Sequence, residues 1–172
     1  MVRANLFISF VDMMGYTVMA RATPDPLQLF ELLNDLAKIT VRHVESSSGK
    51  VVKFIGDDSL LIYPEEMADA CVLSIRALIE ECERHLRRTG HDNVLRATVH
   101  FGEAAIGPFG PASHEATDVI GESVNIAATL GQGLHAGGLI LSPPAFERLS
   151  PPVKKLFRRN ESPEVFISVA GT

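Results

Sequence analysis

Two short clusters of aspartate and glycine stand out in the 172-residue chain. In Asp12-Met13-Met14-Gly15-Tyr16-Thr17, a carboxylate closes the apolar run ANLFISFV (residues 4–11) and a glycine follows three positions on. The second cluster is Gly56-Asp57-Asp58, set between the apolar runs KVVKFI and SLLIYP. Carboxylates at strand ends supply the hard oxygen ligands that Mg²⁺ requires. A glycine turn at the start of a helix exposes backbone N–H groups that suit phosphate oxygens. Two aspartates beside such a turn would hold a divalent metal, with phosphates completing its shell, and so would handle a nucleoside triphosphate. Each cluster alone is also what a helix N-cap or a tight turn selects. The pair together, in the strand order that follows, carries the chemical reading.

The elements around the clusters decide whether they can meet. The run at 4–11 predicts a buried strand that ends at Asp12. Apolar positions at Leu27, Phe30, Leu33, Leu36 or Ala37, and Val41 or Val44 have helical spacing over 26–46, and Ser46-Ser47-Ser48-Gly49 stops that helix. KVVKFIG and DSLLIYP predict a hairpin with Gly56-Asp57-Asp58 at its tip. A second amphipathic helix spans 65–89. Strands are expected at LRATVHF and EAAIG, joined tightly through Gly102, then a loop rich in Pro, Gly and Ser at 107–113. TDVIG leads into a helix at 122–130, and GGLILS and VFISV predict later strands. The order is the ferredoxin-like β-α-β-β-α-β unit with extra strands. The fold class expected is therefore α+β, one domain over 1–172, with a central mostly antiparallel sheet and helices on one face. In that unit the end of the first strand and the hairpin tip come close.

Composition narrows the function. Apolar residues make up 46% and charged residues 22%, as in globular proteins. A net charge of −5 without a run of one sign lacks the footprint of a nucleic-acid binder. Lys154, Lys155, Arg158 and Arg159 read as a solvated surface. Cys71 and Cys82 sit eleven residues apart in one helix, about 16 Å, too far for a bridge. Asp12 interrupts the apolar start, which argues against a secretory signal. No run approaches the ~20 apolar residues of a membrane helix, so no membrane segment is expected in this chain and a cytoplasmic location is.

With these residues in view, the chain resembles the class III adenylate and guanylate cyclases. Asp12 to Thr17 is similar to their Asp-x-x-Gly-Phe-Thr motif, and Lys53-Phe-Ile-Gly56-Asp57 to their Lys-x-x-Gly-Asp segment. His100-Phe-Gly102-Glu103 resembles their His-x-Gly-Glu turn. Asp118-Val-Ile-Gly121-Glu-Ser-Val-Asn125-Ile-Ala-Ala resembles their Asp-x-x-Gly-x-x-Val-Asn-x-Ala-(Ala/Ser)-Arg segment. The resemblance implies an adenylate cyclase that converts ATP to 3′,5′-cyclic AMP and pyrophosphate. Asp12 and Asp57 would bind two ions, Mg²⁺ or Mn²⁺, with Met13 contributing at the metal site. The segment Met13, Met14, Gly15, Tyr16, Thr17 would hold the triphosphate. Lys53 and Asp118 match the adenine-reading pair, a donor for a ring nitrogen and an acceptor for the exocyclic amine. Asn125 would orient the ribose. The resemblance further implies a head-to-tail homodimer with sites shared between chains.

The pattern departs from the family in two places. Thr129 stands four residues after Asn125, where the family has its transition-state arginine. The late triphosphate lysine is also unmatched: VFISVAGT offers either Ala170 before Gly171 or a deletion of that strand, and neither alignment supplies a lysine. Cations on developing phosphate charge are worth ~10³ to 10⁵ in rate at comparable sites, so the expectation is a slow enzyme or a domain that binds without turnover.

Overall fold

The computed structural model describes residues 1–134 and 137–169. At its centre lies β1 (Val2–Met13), paired antiparallel with β3 (Asp58–Pro64) on one side and with β4 (Leu95–Phe109) on the other. Beyond β3 lies β2 (Lys50–Ile55), also antiparallel. The first half of β4 pairs in parallel with β6 (Gly138–Leu141), and β8 (Glu164–Ser168) and β7 (Phe157–Glu161) extend the sheet from there. The second half of β4 pairs with β5 (Ala116–Ile120). The eight-stranded sheet thus runs β2-β3-β1-β4-β6-β8-β7, with β5 off that path. Its first four strands carry the expected ferredoxin-like order.

The helices follow from their sequences. Pro26 occupies the first turn of α2 (Pro26–Ser46), and the Asp25 carboxylate caps it by accepting from the Leu27 N–H at 2.9 Å. Leu32, Leu36, Thr40 and Val44 recur every fourth residue and are buried. Along α3 (Ala68–Arg88), Cys71, Val72, Ile75, Leu78, Ile79, Cys82 and Leu86 form the inward stripe. Both helices cover one face of the sheet, against Phe7, Val11, Met13, Leu61, Tyr63, Ala97 and Val99. Burying each large apolar side chain contributes roughly 1.5–3 kcal/mol. The two cysteines are free and buried, and burial raises both thiols, Cys82 to about 12. Among the described residues no helix is long and apolar enough to cross a membrane.

Three expectations are corrected. The strands at LRATVHF and EAAIG are one continuous strand, β4, which runs through Gly102 without a turn and on to Phe109, into the expected loop. Gly102 is there for a close approach: a Cβ would collide with Ser123 Oγ and lie 3.1 Å from His100 Nε2. His100 is buried and bonded to Ser142 Oγ at 2.9 Å. The helices also occupy both faces. α4 (Glu122–Thr129) packs through Ala127 on the face opposite α2 and α3, with Leu6, Ile8, Leu60, Ile62 and Ala104. Finally, β1 extends two residues beyond the apolar run at each end, because its pairing with β4 continues to Val2 and Met13. Three shorter α-helices also lie among the described residues: α1 (Tyr16–Ala22), α5 (Pro143–Glu147) and α6 (Pro151–Lys154).

Gly102→Ala should lower stability by about 1–3 kcal/mol through overpacking against α4. Adding Ser123→Ala should recover part of that loss. Urea unfolding midpoints of the single and double variants measure both effects.

Candidate functional site

The site grows from the end of β1. Asp12 stands directly opposite Arg96 in the β1–β4 register. Arg96 grips its carboxylate with two hydrogen bonds, Nε to Oδ1 at 3.3 Å and Nη2 to Oδ2 at 3.0 Å. One residue on, Met13 turns its side chain into the core and donates its N–H to Asp57 Oδ2 at 3.3 Å. The hairpin tip between β2 and β3 is thereby tied to the end of β1. Asp12 and Asp57 accordingly line one cleft of about 370 Å³, together with Met13, Met14, Gly15, Tyr16, Thr17 and Arg96. The expected meeting of the two clusters is what the fold produces.

The turn has its own hydrogen-bond pattern. Met14 N–H donates to the Val94 carbonyl at 2.9 Å, and the Met14 carbonyl accepts from Asn93 Nδ2 at 2.9 Å. Gly15 adopts the left-handed conformation at φ 79°, which glycine takes at no steric cost, and N-caps α1 without a side-chain cap. Its carbonyl accepts from the N–H groups of Val18 and Met19. The N–H groups of Met13 and Met14 are thus engaged by protein acceptors. Those of Gly15, Tyr16 and Thr17 have no partner among the described residues, which leaves them as the turn's available donors.

Electrostatically the cleft is crowded with carboxylates. Burial raises the Asp57 carboxyl, hydrogen bonds from its own backbone and from Met13 work against that rise, and the charge of Asp12 adds to it. Asp58 is pushed up to about 6, first by burial and then by the Asp12 charge, with Arg96 opposing. Its Oδ1 is buried without a hydrogen-bond partner. Asp58 faces a second recess of about 150 Å³ that it shares with Asp12, Arg96, Thr98 and Gln132. Among the described residues no three His, Cys, Asp or Glu side chains form a metal cage. Two hard carboxylates beside free N–H donors instead fit a cation that arrives with phosphate ligands of its own.

The remaining expected residues lie elsewhere. In β2 the register shifts between Val51 and Lys53, leaving Val52 as the extra residue of a bulge. Beyond it Lys53 Nζ meets Asp118 Oδ2 on β5 at 2.7 Å, a partly exposed ion pair within the chain. Burial alone would raise the Asp118 carboxyl, but hydrogen bonds from Lys53 and Val119 and the Lys53 charge bring it below its ordinary value. Asn125 is exposed on α4, and its carbonyl accepts from Thr129 Oγ1 at 2.9 Å. Lys53, Asp118 and Asn125 do not line the cleft of Asp12 and Asp57. Neither do the late cations: Lys154 bonds the Glu147 carbonyl and Arg159 pairs with Glu164 at 2.7 Å. The Ala170-Gly171 position lies outside the described residues. Sequence reasoning passed over Arg96 and Asn93, and gave Asp58 a place in the hairpin turn but no part in the site. The signal for Arg96 was a lone charge inside the apolar run 95–101.

A family model described as "Adenylate and Guanylate cyclase catalytic domain" matches residues 3–171, and the chain belongs to that family. It is 28% identical over 134 residues to an adenylate cyclase of Anabaena cylindrica, covering 73% of this chain and 26% of that protein. It is 28% identical over 154 residues to adenylate cyclase 2 of Rhizobium meliloti, covering 84% and 42%. The chain therefore spans about a quarter to two fifths of those relatives. In fold it is similar to the adenylyl cyclase CyaB from P. aeruginosa (TM-score 0.83, 19% identity, 99% and 96% covered). It is similar in the same way to the guanylate cyclase domain of RhGC from Catenaria anguillulae in complex with GTP (TM-score 0.81, 18% identity, all of both chains covered).

Asp58 yields a pH prediction. Its folded value of about 6 lies above the ordinary 3.8, so its ionisation opposes folding. The stability it lends is fully present below pH about 4 and is lost as pH rises through about 6. In metal-free buffer at about pH 7.5, Asp58→Asn should exceed the parent by on the order of 1–3 kcal/mol. The gain should vanish below pH about 4, and denaturant titrations across that range measure it.

Proposed function

We propose that this nucleotide cyclase domain acts on ATP, forming 3′,5′-cyclic AMP and pyrophosphate. The observation that carries the reading is the single cleft joining Asp12, Asp57, Arg96 and the free N–H groups of Gly15, Tyr16 and Thr17. Asp12 and Asp57 would hold Mg²⁺ or Mn²⁺, two ions per site. When bound, such a cation lowers the pKa of a ribose 3′-hydroxyl and offsets phosphate charge. The turn N–H groups bind phosphate oxygens through backbone donors that need no charge. Arg96 supplies the cation within this chain that borders the same space, and guanidinium suits phosphate oxygens as well as it suits a carboxylate.

Two observations support adenine. The relatives in Anabaena cylindrica and Rhizobium meliloti bear the name adenylate cyclase. The Lys53 and Asp118 pair has the donor and acceptor polarity that adenine requires, whereas the carbonyl of guanine would meet Asp118 unfavourably. The two residues now hold each other, but a partly exposed ion pair contributes only about 0–1 kcal/mol, so a base can replace it at little cost. Because Lys53, Asp118 and Asn125 lie off the cleft, they are suited to serve the cleft of a second copy. That supports a head-to-tail homodimer with two shared sites.

A second reading, binding without turnover, is favoured by Thr129. Its hydroxyl turns back onto its own helix, so that position offers no cation. An assay of the purified chain with Mn²⁺ and each of four nucleoside triphosphates separates the readings. Cyclic AMP should be the main product. Asp57→Ala should lower the rate by ~10²-fold or more, and Thr129→Arg should raise it by on the order of 10-fold or more. Tight metal–nucleotide binding with no product would select the second reading. Cyclic GMP as the main product would refute the role given to Lys53 and Asp118.

A further inference from the structure

The connection between α3 and β4 is bonded to both backbone groups of Met14, and Met14 precedes the one left-handed residue of the cleft. Val94 holds its N–H and the Asn93 amide holds its carbonyl, each at 2.9 Å. Asn93 itself does not line the cleft, and its amide nitrogen lies 3.3 Å from where a Cβ on Gly15 would stand. The Met14 carbonyl and the Gly15 N–H belong to one planar trans peptide and point in opposite directions. A donor that fixes the carbonyl on one side therefore aims the N–H to the other. The fixing matters at this residue above its neighbours. Glycine adopts positive and negative φ with nearly equal ease, and the peptide after Gly15 is anchored through the Gly15 carbonyl, so the peptide before it is the one that needs a separate anchor. With the carbonyl released, that peptide can turn over and present an oxygen to the cleft in place of a donor.

We propose that Asn93 is a positioning residue that aims the Gly15 N–H at the phosphates of the nucleotide. This rests on the cyclase reading above and adds to it a residue outside the cleft. It also makes the α3–β4 connection a mechanical support of the phosphate turn.

Binding of Mn²⁺ with 3′-deoxy-ATP, which lacks the attacking hydroxyl, tests the proposal by calorimetry. Cyclase kinetics and the Gly15 amide resonance of ¹⁵N-glycine-labelled protein complete the set. Asn93→Ala should weaken binding roughly fivefold to tenfold, the worth of one hydrogen bond. KM should rise to match while kcat stays within about twofold and the melting temperature within a few degrees. The isosteric Asn93→Asp, which turns an acceptor toward the Met14 carbonyl, should lose more than Asn93→Ala. In both variants the Gly15 amide resonance should shift or broaden. Unchanged binding with an unmoved Gly15 resonance would overturn the proposal. So would a loss shared equally by KM, kcat and melting temperature, since that marks a merely structural bond. If the parent binds no nucleotide, the cyclase reading falls, and the Gly15 resonance alone decides whether Asn93 orients the peptide.

Discussion

The antiparallel register of β1 on β4 places Asp12 opposite Arg96, and the site is assembled from that pairing. The register is fixed by burial on two faces. Phe7, Val11 and Met13 point into one core, and Leu6 and Ile8 into the other. A slip of one residue would exchange the two sets and bury Asp12 where Met13 belongs. Tight cores do not accommodate that exchange. The hydrophobic packing of both layers, including α4 on its own face, therefore sets where the carboxylate stands. The hairpin tip follows, because Asp57 is tied to the backbone at Met13.

The charges at this place do not favour the fold. Asp12, Asp57 and Asp58 crowd together with Arg96 as the bonded cation, and both Asp57 and Asp58 hold their protons more firmly than free aspartates do. Proteins that bury like charges accept lower stability in return for a site that attracts counter-ions. The fold here gives Asp12 a partner, gives Asp57 a backbone donor, and leaves one oxygen of Asp58 without either. The packed helices α2 and α3 supply the excess stability that such a cluster consumes.

What could be read from the sequence was what depends on neighbours in the chain. Helical spacing delimited α2, and the glycine-aspartate turn marked the β2–β3 hairpin. The clusters around Asp12 and Asp57 were legible because each is a local departure from an apolar run. The Asp12–Arg96 pair was not, since it joins residues 84 positions apart and exists only once the register is known. Gly102 misled for a related reason. A glycine between two apolar runs reads as a turn, yet here it makes room for Ser123, a contact made across the sheet. The position of α4 on the opposite face was hidden too, because a short helix of mixed polarity does not announce which layer it joins. The Asn93 bond to Met14 has no sequence signature, as an asparagine in a connection is ordinary turn chemistry.

The bulged strand β2 has a consequence for how another molecule can approach. It is a border of the sheet, as are β7 and β5, each paired on one side only. Borders with unpaired backbone groups invite strands from neighbouring proteins. β2 counters this with its bulge and with Lys50 and Lys53, both turned toward β5, and β7 with Arg158 and Arg159. These borders resist runaway sheet extension. A protein that docks beside β2 must recognise side chains, and so its contact can be selective and reversible where ladder growth would be neither.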